Sequence, residues 1–262
     1  MKPLLVTIPH SGEKIPVEVT WLKGLSETHV MCDVDRFVDR LYLGTLQRLG
    51  IPHVVTDWHR YVVDLNRLPE DIDADAVEGS RNPPGTFTSG LHWVKTTTGL
   101  PLISKPMSMQ MHNQLVERYF SPFHSQVESQ YANLRKQGYA TVYHMDLHSM
   151  PSRGTSAHRD PGQIRAEIVI SDFNGKSCSA EFKDLVTAAY KNADFQVAYN
   201  WPYIGGRVTQ QYGQPHQGQH AIQVELRRDL YMDEDSKQLK PDIEGLKERL
   251  GAALAHIHHH LK

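Results

Sequence analysis

Thr141-Val142-Tyr143-His144-Met145-Asp146-Leu147 reads as a strand and runs directly into His148-Ser149. A polar cluster right behind a buried strand is costly unless its groups are paired or ligate something. Around this stretch lie further strand-like runs. Leu4-Leu5-Val6-Thr7-Ile8 is nearly continuous in apolar residues, as expected of a strand buried on both faces, and stops at Pro9-His10-Ser11-Gly12. His53-Val54-Val55-Thr56, Tyr61-Val62-Val63-Asp64-Leu65, the stretch 166–171, Gln196-Val197-Ala198-Tyr199 and Ala221-Ile222-Gln223-Val224-Glu225-Leu226 read the same way. Helical spacing separates them. From Asp35 onward, Val38, Leu41, Tyr42, Leu46 and Leu49 mark one apolar face, with Gly50 as a stop. Further helices are expected over about 107–137, 179–191 and 243–261. Strands alternating with helices predict an α/β fold with a mixed, largely parallel sheet. With no repeat and no linker, residues 1–262 read as a single domain.

The stretch 69–106 is rich in Pro, Gly, Ser and Thr and is too long for a plain connector. Phe87, Leu91 and Trp93 argue for an ordered cover over something. A water-excluding lid is one use of such a segment, a static surface excursion the other.

Composition excludes several classes. The 28 Lys and Arg against 30 Asp and Glu leave a net charge of -2, without the basic footprint of a nucleic-acid binder. Two cysteines, Cys32 and Cys178, cannot build a disulfide framework, and there is no CxxC. No apolar run reaches the ~20 residues of a membrane span. Met1-Lys2-Pro3 leads into a strand-like run instead of a signal peptide, so a cytoplasmic protein is expected. Sixteen histidines raise the expectation of metal or proton chemistry without locating it.

In open α/β sheets ligands bind beyond the carboxyl ends of the strands. His10 follows the first strand, Asp146 and His148 close the central one, Glu225 ends the last, and Asp35 opens the first helix. Two histidines and a carboxylate with an open fourth position make a catalytic zinc set, and a spare carboxylate can serve as general base. The donors suit Zn²⁺ without excluding another divalent metal. Plainer readings exist. His10 can be a turn residue, and Asp33, Asp35 and Asp39 can be helix N-terminal charges, the favoured reading for Asp33 and Asp39. A serine hydrolase centred on Ser149 lacks the G-x-S-x-G elbow.

A series of motifs runs through the chain in order: Pro9-His10-Ser11-Gly12, Asp35-Arg36-Phe37-Val38-Asp39, Arg60-Tyr61-Val62-Val63-Asp64-Leu65-Asn66-Arg67, Tyr119-Phe120-Ser121-Pro122-Phe123-His124, Asp146-Leu147-His148-Ser149, Gly175-Lys176-Ser177-Cys178, Gly205-Gly206 and Gln223-Val224-Glu225-Leu226. In these the chain resembles the N-formylglutamate amidohydrolase family nearly end to end. The resemblance implies a three-layer α/β/α fold related to zinc exopeptidases and cell-wall amidases. It also implies hydrolysis of N-formyl-L-glutamate to formate and L-glutamate, and a place at the end of histidine degradation. By the same analogy His10, Asp35 and His148 would hold Zn²⁺ or another divalent metal, and Glu225 would be the base.

A substrate with two carboxylates needs cationic groups, and guanidinium binds carboxylate bidentately. Arg60 and Arg67 are the first candidates, with Asn66 as orienting donor and Arg207, Ser11 and Thr209 as further contacts. A surface pairing of Arg60 with Asp57 or Asp64 is the plain alternative. His124 and Tyr119, inside a helical segment, read more readily as core residues. One departure stands out. Gln210-Gln211 precede Tyr212-Gly213 where the family commonly shows Arg-His. Either Arg207 supplies that charge from a shifted position or the acyl-amino-acid specificity differs. The alternatives are a related amidohydrolase acting on another N-acyl amino acid, peptide or cell-wall fragment, and a non-catalytic metal or carboxylate binder. The partner expected is a small molecule, neither nucleic acid nor membrane, with the oligomeric state left open.

Overall fold

Leu4–Ile8 (β1) is buried along its whole length because it is an inner strand of a six-stranded sheet. The computed structural model describes residues 2–261. The other strands are β2 (His53–Val55), β3 (Val142–Met150), β4 (Ile168–Ser171), β5 (Val197–Tyr199) and β6 (Gln219–Arg227). Their order is β2-β1-β3-β6-β4-β5. Every pairing is parallel except that of β4 with β6. Seven α-helices accompany them among the described residues: α1 (Glu27–Val30), α2 (Val38–Arg48), α3 (Met109–Leu115), α4 (Ser121–Lys136), α5 (Ala180–Asn192), α6 (Arg207–Tyr212) and α7 (Glu244–His260). The mixed, mostly parallel sheet with helices is the α/β fold expected.

Local chemistry explains several boundaries. Ser179 caps α5, its hydroxyl accepting from the Phe182 amide. A π-turn over Val116–Phe120 joins α3 to α4 immediately ahead of Pro122, whose ring and missing N–H disturb the helical ladder there. The long helix expected over 107–137 is therefore two helices in line.

The twofold alternation of strand side chains assigns each sheet face its own chemistry. Leu4, Val6, Ile8, Met145, Leu147, Ile222, Val224 and Leu226 form one face, closed by Val38, Leu41, Phe182, Val186, Leu250 and Leu254 of α2, α5 and α7. Burying each such side chain contributes roughly 1.5–3 kcal/mol. The opposite face begins as an apolar one, with Leu5, Val142 and Ala221 packed in the same core as Phe123, Val127 and Leu134 of α4. Towards the carboxyl ends of the strands that face becomes polar. Thr7, His144, Asp146, His148, Gln223 and Glu225 follow there, all buried. Parallel register sets Thr7 beside Asp146, Asp146 beside Gln223, and His148 beside Glu225.

Three expectations are corrected. His148 lies within β3, not behind it, because pairing of β3 with β6 continues through Met150 and Arg227, while Glu225 sits inside its strand as expected. Tyr61–Leu65 is no strand but a buried turn, whose amides bond to His59 and Leu91. Asp35 precedes α2, separated from it by Phe37 in the left-handed conformation at φ 69°. The segment 69–106 has no regular element but is ordered, with Leu91, Trp93, Leu102 and Ile103 buried in the α4-side core. Among the described residues no helix is long and apolar enough to cross a membrane.

Histidine serves this core more than its chemistry. Burial pushes His59 and His92 down to about 3, and His124 and His144 down to about 4. These imidazoles remain neutral in the folded chain, whereas unfolded ones take up protons near ~6.5. Below that value the unfolded state binds more protons, so stability falls as the pH drops towards 4, by up to ~1.4 kcal/mol per pH unit for each such histidine. Urea unfolding in the presence of EDTA should show a lower midpoint at pH 5 than at pH 7. An unchanged midpoint would contradict the neutral burial of these four side chains.

Candidate metal and active site

His10 and His148 approach edge to face, with ring centroids 4.9 Å apart. Each has its Nε2 held by a buried carboxylate: His10 by Asp64 Oδ1 at 2.8 Å and His148 by Asp146 Oδ2 at 2.7 Å. An imidazole that donates from Nε2 keeps its Nδ1 lone pair for a cation, the arrangement that orients metal-binding histidines. Both Nδ1 atoms face Asp35 Oδ2, at 3.5 Å from His10 and 3.0 Å from His148. The three donor atoms lie within 4.8 Å of one another, and all three residues are buried.

The fourth carboxylate, Glu225, is held differently. Its Oε1 accepts from Gln223 Nε2 at 2.8 Å, while its buried Oε2 has no hydrogen-bond partner among the described residues. Burial, partly opposed by His148, pushes this carboxyl up to about 7. Burial also works against the His148 imidazolium, but Asp146, Asp35 and Glu225 outweigh it and hold its pKa well above the ordinary value. Asp35 and Asp64 lie well below the usual carboxylate range, because their imidazole and guanidinium partners overcome the cost of burial. Five buried carboxylates (Asp33, Asp35, Asp64, Asp146 and Glu225) face two buried guanidiniums, Arg60 and Arg228. The surplus of negative charge favours a cation, and the two imidazoles with one carboxylate are a donor set that could hold a divalent metal of the zinc type.

Arg228 carries no sequence signal that marks it as part of the site. It clamps the other side of Asp35, donating to Oδ1 at 2.9 Å while its remaining N–H groups reach Ser149 and the carbonyls of Cys32 and Asp33. Arg60 is the buried counterpart. It donates to Asp64 Oδ2 and to the Asp33 carbonyl, each at 2.7 Å, and lies over the Trp93 ring. The pairing with Asp64 therefore exists, but in the interior. Asp33 serves neither as a helix-end charge nor as one of the three converging donors. Its carboxylate receives Tyr61 Oη and the Thr97 amide, tying the 69–106 segment to the site.

These groups open into a cavity of about 720 Å³, within the range of small-molecule sites. Trp93, Lys95, Thr96 and Thr97 of the long segment line it, as do Arg67, Arg159, His158 and Tyr203. Arg67 donates to two backbone carbonyls, while Lys95 and Arg159 have no ion-pair partner among the described residues. Asn66 accepts from the Val208 amide and reaches His148 Nε2 at 3.4 Å. It packs so closely on Gly206 that a Cβ there would lie 2.2 Å from Asn66 Nδ2. Arg207 lines a neighbouring cavity of about 480 Å³ shared with Asn66 and Arg67, and donates to Gln211. Ser11 and Thr209 are buried and line neither cavity. His124 bonds to Tyr212 and the Leu65 carbonyl, a satisfied core residue.

The family model described as N-formylglutamate amidohydrolase matches residues 2–232. A Pseudomonas aeruginosa protein named N-formylglutamate deformylase is 30% identical over 244 residues, covering 89% of this chain and 84% of its own length. A Pseudomonas putida protein of the same name is 30% identical over 237 residues, covering 88% and 82%. The crystal structure of an N-formylglutamate amidohydrolase from Ralstonia eutropha superposes with a TM-score of 0.90 at 25% identity, over 99% of this chain and 94% of that one. A gene product of Agrobacterium tumefaciens matches in fold, with a TM-score of 0.69 at 22% identity over 98% and 92%.

Asp64→Asn and Asp146→Asn keep the shape of each carboxylate but weaken its hold on an imidazole. Each should lower Zn²⁺ affinity by about 10–100-fold, read by competition with a chromophoric chelator, while far-UV circular dichroism is retained. Unchanged affinity in both would separate these carboxylates from cation binding.

Proposed function

This chain belongs to the N-formylglutamate amidohydrolase family, and from that premise we propose that it hydrolyses N-formyl-L-glutamate to formate and L-glutamate with His10, Asp35 and His148 holding a divalent metal, zinc by preference. One observation carries the reading: the unpartnered Oε2 of Glu225, buried beside a His–Asp–His donor set. Bound there, such a cation supplies Lewis-acid polarisation and lowers the pKa of water.

The chain's own residues supply the rest. Glu225 Oε2 takes one proton from the attacking water as the water oxygen bonds to the formyl carbon and the carbonyl π pair moves onto the formyl oxygen. When the C–N bond breaks, Oε2 returns that proton to the leaving nitrogen. The second water proton also ends on the amine, leaving formate and an ammonium group. A carboxyl raised to about 7 is suited to both transfers near neutral pH. Gln223 fixes the carboxylate through Oε1, so that Oε2 is the oxygen presented to the reaction.

The cavity walls favour an anionic small molecule. Arg67, Lys95 and Arg159 line the space and form no ion pair with a carboxylate among the described residues, and the substrate brings two carboxylates. The 69–106 segment covers this space, which supports a small acyl amino acid over a peptide or glycan that needs an open groove.

Purified, metal-loaded protein should release formate from N-formyl-L-glutamate, lose this activity on dialysis against a chelator and regain it with Zn²⁺. Glu225→Gln should keep its metal and lose at least about 10²-fold in kcat, the lower range of general-base contributions. A Gln variant that binds metal and retains near wild-type turnover would remove Glu225 from the reaction.

A further inference from the structure

Tyr203 lines the same cavity as Glu225 and His148. Its hydroxyl has one hydrogen-bond partner among the described residues, Arg165 Nη1 at 2.9 Å. Arginine carries no acceptor, so Arg165 donates and occupies a lone pair of the phenol oxygen. The phenol's own proton has no acceptor among the described residues, and Tyr203 lines the cavity.

The support behind Tyr203 is rigid. Arg165 is buried and forked onto Asp160, with Nε to Oδ2 at 2.7 Å and Nη2 to Oδ1 at 2.8 Å. Its third nitrogen is shared between Tyr203 and the Pro151 carbonyl. Gly154 allows the Asp160 segment to close in, since a Cβ there would lie 2.1 Å from the Asp160 carbonyl oxygen. On the other side, Ser171 Oγ donates to the Tyr203 carbonyl and the Phe173 amide to that of Ile204. A donor held in place before the reaction needs no reorganisation when charge develops. The Arg165 contact also polarises the phenol, making it a stronger donor.

We propose that Tyr203 is a further catalytic residue, donating its phenol proton in a hydrogen bond to the formyl oxygen as that oxygen takes on negative charge. Burial raises the phenol pKa, so the proton stays on Tyr203 throughout the working pH range, and Glu225 is close enough for its charge to act in the same direction. No proton is transferred from Tyr203. The hydrogen bond tightens as the tetrahedral adduct forms and relaxes as formate leaves. Arg165 and Asp160 act through Tyr203 as positioning residues.

The assignment rests on the hydrolytic reading above, and the test separates the two. Tyr203→Phe retains the ring and removes the donor. Its kcat for N-formyl-L-glutamate should fall by about 10²–10³-fold, the loss typical of one oxyanion donor. KM, competitive inhibition by L-glutamate, zinc content and Tm should stay near wild type. A kcat within about threefold of wild type overturns the role. A raised KM with kcat unchanged also overturns it, since the hydroxyl would then hold the substrate before reaction. A loss of Tm matching the loss of activity would make Tyr203 structural. Wild-type protein that releases formate from neither N-formyl-L-glutamate nor other N-formyl amino acids overturns the hydrolytic reading itself, and this assignment with it.

Discussion

The site depends on two buried hydrogen bonds, Asp64 to His10 and Asp146 to His148. Each fixes an imidazole at Nε2, and together they turn both Nδ1 atoms onto the same oxygen of Asp35. Buried carboxylates are costly unless paired, and here each pairing also orients a potential ligand. Asp64 is secured in turn by Arg60, the Trp93 indole and the Asn66 amide. Thr7 secures Asp146, and Arg228 secures Asp35. The polarity of this cluster is therefore a connected network, and removing one member leaves its neighbour buried and unpaired.

The sheet provides the spacing. Parallel pairing of β3 with β6 puts His148 beside Glu225 and Asp146 beside Gln223, so two adjacent strands deliver ligand, orienting carboxylate, base and the amide that holds the base. The opposite face of the same strands is packed with Met145, Leu147, Ile222, Val224 and Leu226. A slip of one residue would bury the polar row in that apolar core. The long segment joins the network through Thr97 to Asp33 and through Trp93 to Asp64, so cover and cage share hydrogen-bonding partners.

His10, His148 and Glu225 were legible because residue type and topology agreed, imidazoles and a carboxylate at strand ends in a fold that binds ligands on that edge, whereas the choice of Asp35 over Asp33 came from the family resemblance. Arg228, Gln223 and Tyr203 were not legible. Arg228 follows directly on the last strand among other charged residues, and no spacing distinguishes a guanidinium directed at Asp35 from one in solvent. Gln223 carries one signal, a polar residue two positions before Glu225 on the same strand face. Arg60, expected as a substrate contact, lines the cavity with its two Nη groups committed to Asp64 and the Asp33 carbonyl and its Nε without a hydrogen-bond partner among the described residues. That commitment arises from the turn at 61–65, which periodicity mistook for a strand because every apolar residue in it is buried.

By itself, then, the sequence determined the alternation of strands and helices, the absence of a membrane-length apolar run, and the residue types able to bind a divalent metal. These follow from local periodicity and side-chain chemistry, which each short window carries within it. Only the tertiary structure decided which nitrogen of each histidine is free, which oxygen of Glu225 lacks a partner, and that the long segment closes over them. Those depend on groups far apart in the chain, such as Arg228 and Asp35, which are separated by 193 residues. Hydrogen-bond geometry at that separation is set by strand register and packing, and neither is written in any single stretch of chain.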